Sequence, residues 1–203
     1  AKSGDKINAT IANSGLLKKK VIDGEAFDLA ILIEPIDDVV ATGNLDKKSL
    51  KPVASVAVGV AVKKGAPKPD ISTPEKFKQA LLAAKSIGYP HGTPGAYSAI
   101  MVDDVLAKLG ITDQILPKVK AGGIGGLTKG DVDIALYFEN EYQDPGIDVV
   151  GPIPPALSKP ASIVGVISAH AKNPAGAKKL LDYLAASPAA KAAYKANGMM
   201  PAS

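Results

Sequence analysis

Apolar and polar residues alternate weakly over residues 6–12, Lys-Ile-Asn-Ala-Thr-Ile-Ala, and predict a strand. Ser14 then stands where a helix cap is expected. Leu17, Val21 and Ile22 follow at helical spacing, and Asp23-Gly24 marks the stop. Phe27 to Ile33 is a short continuous apolar run, the pattern of a strand covered on both faces. Pro35 opens a predicted helix with Ile36, Val39 and Val40 on one side, ending at Gly43. A β-α-β-α start implies a parallel sheet with crossover helices.

Val53 to Val62 reads as one long apolar strand. Ser72-Thr73-Pro74-Glu75 is a helix start, with a capping hydroxyl, an early proline and an acid, and its helix runs to about Ala84. A strand over 86–89 precedes a helix from about Ala96 to Leu109. Tyr97, Met101, Val105 and Leu109 form its apolar stripe, and Gly110 is its stop. Ile115 to Lys120 reads as a strand and Ala121 to Gly126 as a glycine-rich loop. Ile134 to Phe138, Val149-Val150 and Ile163 to Ser168 read as strands. Asn173-Pro174 and Ser187-Pro188 open two closing helices.

Two proline-rich stretches, Lys63 to Asp70 and Gly151 to Pro160, divide the pattern. They predict a discontinuous first lobe, residues 1–64 and 160–203, and a second lobe over 65–159, joined by a two-segment hinge. The 203 residues suit two lobes of about 100 residues each.

Two strand–turn–helix junctions carry the candidate chemistry: Ala12-Asn13-Ser14-Gly15-Leu16 and Thr93-Pro94-Gly95-Ala96-Tyr97. A helix start has unpaired N–H groups and the positive end of the dipole, so it receives anions. One such turn in each half points to a small anion held between lobes. Composition narrows how it would be held. All 24 basic residues are lysine, so the arginine fork is unavailable, and donors must be backbone N–H groups, hydroxyls, amides or lysine. The net charge of +4 is scattered in short lysine groups without interleaved aromatics, which argues against a nucleic-acid surface. Cysteine is absent, so thiolate chemistry is excluded.

In their order along the chain, these pieces resemble bacterial extracellular solute-binding proteins of ABC importers, of the molybdate-binding type. Asn13-Ser14-Gly15, the run Lys20 to Ala30, Asn44-Leu45, the Val56 to Lys63 strand and Asp70 to Glu75 carry the first part of the likeness. Thr93 to Tyr97, Leu106 to Gly110, Gly130 to Ile134 and the Asn173 to Gly198 tail carry the rest. The resemblance implies an α/β, two-lobed type II periplasmic-binding-protein fold. Each lobe would be a mixed, mostly parallel sheet flanked by helices. It implies a monomer, periplasmic or extracellular after removal of a signal peptide, that captures a molybdate- or tungstate-like oxyanion or a small carboxylate for a membrane permease. No cofactor and no metal are expected. The family begins with a strand–turn–helix that residue 1 follows, so some 20–30 further upstream residues are expected.

By the same resemblance Ser14 is the second-turn serine on the oxyanion, with Asn13 and Gly15 beside it. Pro94, Gly95 and Ala96 form the turn offering backbone N–H from the second lobe. Tyr137 or Phe138 takes the place of a ligand-facing tyrosine. Tyr97 and His91 are possible additions, although Tyr97 also fits the core stripe. Gly122 to Gly126 lacks phosphate-loop spacing and reads as a loop before it reads as an anion nest. Asp131, Asp133, Glu139, Glu141 and Asp144 lack calcium-loop spacing. The alternative function is an enzyme of the same fold isomerising a small unsaturated carboxylic acid. It needs a positioned acid–base group, with His91, Tyr137 and the acids near Glu139 as candidates. A sensing domain fused to a receptor is a third reading.

Overall fold

The computed structural model describes residues 6–120 and 122–202. Two compact units divide the chain. One holds residues 1–55, 162–196 and 200–203; the other holds 56–161 and 197–199.

In the first unit, α1 (Ser14–Ile22), β1 (Leu29–Ile33) and α2 (Asp37–Val40) follow one another, then β2 (Lys51–Val56), β7 (Ala161–Ile167), α7 (Pro174–Ala186), α8 (Pro188–Ala196) and β8 (Met200–Pro201). The sheet order is β1-β7-β2-β8. Leu32, Val164 and Val166 point to one face and pack with Val21 of α1, Ile36, Val39 of α2 and Leu45. Gly165 and Ile31 point to the other, against Leu181 of α7. Alternation across the pleat thus feeds helices on both faces. Residues 6–12 form no strand, contrary to the expectation: Ile7 is 54% and Ile11 93% exposed, and among the described residues β1 pairs only with β7. A weak alternation is insufficient where no ladder partner adjoins it.

The second unit contains β3 (Val58–Lys63), α3 (Pro74–Ala83), β4 (Ile87–Gly88), α4 (Tyr97–Leu109), α5 (Thr112–Ile115), α6 (Gly123–Lys129), β5 (Ile134–Phe138) and β6 (Ile147–Pro152), in the sheet order β4-β5-β3-β6. The apolar run 53–62 is therefore two strands, not one. It breaks at Ala57, and β2 and β3 serve different sheets. Apolar content specifies burial; it does not specify which sheet buries it.

Both pairing directions occur in the sheet of the second unit, which is mixed, as expected. β4 runs parallel to β5, to which helical crossovers connect it. The pairs β1–β7, β2–β8, β3–β5 and β3–β6 are antiparallel.

Two more segments depart from expectation. Residues 115–120 end α5 and make a 3-10 turn (Leu116–Lys118), leaving a single bridge, Ile87 to Val119. The glycine-rich segment is the start of α6, not a loop; Ala121 lies outside the described residues. On α4 the buried face is Ser98, Ala99, Val102, Val105 and Leu106, turned from the expected stripe. Among the described residues no helix is long and apolar enough to cross a membrane.

Candidate functional site

At the first junction the roles of Asn13 and Ser14 are exchanged relative to the sequence reading. Asn13 is the N-cap: its Oδ1 accepts the Leu16 N–H at 2.9 Å. Ser14 is the first helical residue, and its Oγ is buried with no hydrogen-bond partner among the described residues. Gly15 follows within the first turn. A buried hydroxyl without a partner costs about 1–3 kcal/mol, so one placed at a helix start is what an incoming acceptor would complete.

In the second unit, Gly92 (φ +70°) and Gly95 (φ +76°) shape the turn before α4. Both values lie where glycine alone is comfortable. Thr93 N–H donates to Pro90 O at 3.1 Å and Ala96 N–H to Thr93 O at 3.2 Å. Ala96 is the N-cap residue of α4 and supplies no side-chain cap, so the turn presents backbone where the first junction presents a hydroxyl. Pro94 and Tyr97 belong to this turn; Tyr97 is half-buried.

Tyr137 and Phe138 are both buried, because every residue of β5 is covered, so simple in–out alternation with solvent does not apply. Pleating still separates them. Tyr137 joins Ala61, Ala135, Leu127 of α6 and Tyr142. Its Oη lies 3.2 Å from where a Cβ on Gly123 would be, so this hydroxyl abuts the start of α6. Phe138 points to the opposite face. Burial pushes the Tyr137 phenol up, aided by the Glu141 charge.

Sequence reasoning missed several residues here. Tyr142 is edge-on to Tyr137 with ring centroids 6.4 Å apart. Its Oη accepts the Tyr137 N–H at 2.8 Å and faces the carbonyls of Ala135 and Gly59 at 2.9 and 3.0 Å. Asn140 Oδ1 is a second buried side-chain atom with no partner among the described residues. Burial also raises the Glu139 and Glu141 carboxyls.

The remaining acids have local roles. Asp133 Oδ2 accepts the N–H groups of Lys85 and Ser86, and Asp144 Oδ1 that of Gly146. Among the described residues no three His, Cys, Asp or Glu side chains could jointly hold a metal ion. His170, exposed, donates its N–H to Ser168 Oγ.

His91 has partners that spacing did not disclose. Its Nδ1 lies 3.0 Å from Tyr89 Oη and 3.3 Å from Asp103 Oδ1, and Tyr89 Oη donates to that same oxygen at 2.8 Å. Tyr89 is 3% exposed, at the end of the β4 segment, and Asp103 sits on α4. An alternating strand end meets a helix face only in the folded chain, so no sequence interval marks the trio.

The sequence pattern of the bacterial extracellular solute-binding proteins matches residues 1–200. The chain belongs to that family. Among solved structures, this solute-binding protein is similar to the periplasmic molybdate-binding protein of Azotobacter vinelandii (TM-score 0.74, 16% identity, 100% of this chain and 90% of that one). It is also similar to the substrate-binding domain assigned to a molybdenum ABC transporter of Clostridium difficile (TM-score 0.77, 16% identity, 99% and 88%). At these identities the likeness is one of fold. A curated relative, an aconitate isomerase from a Pseudomonas species, is 29% identical over 194 residues, 91% of this chain and 71% of the relative. The family and fold agree with the sequence reading: α/β sheets flanked by helices in a solute-binding protein.

Proposed function

We propose that this protein captures a small oxyanion, with molybdate and tungstate foremost, or a small carboxylate, outside the cytoplasmic membrane, and delivers it to the permease of an ABC importer. The observation that carries the reading is Ser14: a buried hydroxyl at the first turn of a nine-residue helix, without a partner among the described residues and relieved of capping by Asn13. Asn13, Ser14 and Gly15 are the contacts proposed in the first unit. Pro94, Gly95, Ala96 and the Tyr137 hydroxyl are those proposed in the second. Without arginine, such donors discriminate by number and cavity size, since each one left unpaired in the wrong complex is penalised.

The test is calorimetric titration with molybdate, tungstate, sulfate, phosphate and small di- and tricarboxylates. Binding of one class in preference to the others supports the reading, and heats no larger than dilution for all of them overturn it.

A second reading, isomerisation of a small unsaturated carboxylic acid, is favoured by a specific pair of observations. The curated relative bears that kind of activity in its name, and His91 has the carboxylate and phenol partners an acid–base group needs.

A further inference from the structure

The hydrogen bonds around His91 determine which of its nitrogens carries the proton. Tyr89 Oη has one hydrogen and gives it to Asp103 Oδ1, 2.8 Å away. Toward His91 the phenol is therefore an acceptor, and the Asp103 carboxylate accepts only. Both neighbours of Nδ1, at 3.0 and 3.3 Å, ask for a donor. Neutral His91 thus holds its hydrogen on Nδ1 and keeps the Nε2 lone pair free. A carboxylate behind an imidazole, orienting it and stabilising its protonated form, is the arrangement by which histidine becomes a directed base. The His91 side chain is 41% exposed, whereas Tyr89 is 3% exposed and anchors the trio. The ring of Tyr89 also packs against the imidazole, with centroids 5.3 Å apart. Burial and the Asp103 charge push the Tyr89 phenol far up, so it stays protonated and keeps donating.

We infer that His91 Nε2 is the proton-transferring base of a carbon-acid isomerisation, with Asp103 and Tyr89 as its positioning residues. This inference rests on the isomerase reading. Its substrate class is an unsaturated carboxylate with a methylene between a carboxylate and a carbon–carbon double bond. Nε2 takes one methylene proton. The C–H electron pair spreads over the double bond and the carboxylate as an allylic carbanion. The same imidazolium then returns the proton at the far end of the allylic system, and the double bond moves by one carbon. Substrate and product are isomers, so no oxidant, reductant or co-reactant enters.

The test uses the whole protein with cis- and trans-aconitate as probes in D2O. Proton NMR follows interconversion and deuterium entry at carbon. Wild type exchanges; His91→Gln, with an unchanged far-UV spectrum, loses at least 100-fold in rate, the range expected for a general base. Asp103→Asn lowers kcat with KM little changed, and Asp103→Glu recovers part of it. In the ¹⁵N spectrum, wild-type His91 shows the Nδ1–H tautomer and Asp103→Asn shifts it. Exchange undiminished in His91→Gln overturns the inference and leaves the isomerase reading standing. Aconitate bound by wild type without carbon exchange overturns both, while solute capture stands. An Nε2–H tautomer in wild type also overturns the inference.

Discussion

Asn13 and Ser14 are adjacent, small and polar, yet the structure gives them opposite energetic signs. Asn13 satisfies a helix N–H; Ser14 buries an oxygen that nothing pairs among the described residues. Asn13→Ala should therefore lose about 1 kcal/mol of stability, as other caps do, measured by denaturant unfolding. Ser14→Ala should lose none without ligand, because it removes a desolvated orphan, but should weaken binding of the preferred anion by about tenfold, or ~1.4 kcal/mol. Equal effects of the two substitutions on stability would contradict the exchange of roles. Glu139 provides a pH signature. Burial raises its carboxyl above the ordinary 4.5, so the folded chain holds that proton more tightly than the unfolded one. Its contribution is complete below 4.5 and is lost as pH rises through the folded value. Glu139→Gln does not titrate. Melting temperatures from pH 4 to pH 7 should therefore show wild type losing ground to Glu139→Gln as pH rises.

Elements reveal where a local pattern suffices. Thr73 and Asn173 each accept a first-turn N–H, and Pro74 and Pro174 follow them; this cap chemistry involves neighbours only, so it is legible in sequence. β5 likewise occupies the expected residues 134–138. The failures have a different cause. Residues 6–12 needed a ladder partner, 53–62 needed to know which sheet each half would join, and 115–120 met one bridge in place of a ladder. The approach of β7 to α7 belongs to the same class. A Cβ on Gly165 would come within 2.3 Å of Leu181 Cδ1, 3.1 Å of Ile31 Cδ1 and 3.3 Å of Val53 Cγ2. Gly165→Ala should cost about 1–3 kcal/mol as overpacking, read as a lower denaturation midpoint with an unchanged slope. No change in midpoint would mean that α7 can shift without penalty.

For the whole molecule, ligand binding and stability are linked. A solute held only by the folded chain adds about 2.7 kcal/mol at one hundred times its dissociation constant. For a chain of this size, each kcal/mol raises the melting temperature by about 2–4 °C, so the preferred anion should shift it by roughly 5–10 °C. Anions of the wrong size or charge should leave it in place. The sequence by itself determined the family, the capped starts of α3 and α7, and the span of β5. All of these rest on neighbouring residues, on composition, or on the order of short pieces along the chain. Only the tertiary structure decided that β2 and β3 part company at Ala57, that Tyr137 rather than Phe138 faces α6, that Ser14 Oγ has no partner among the described residues, and that Tyr89, His91 and Asp103 converge. Strand pairing, burial of a particular atom and the meeting of a strand end with a helix face depend on contacts between residues distant in sequence. Local propensity carries no information about those contacts.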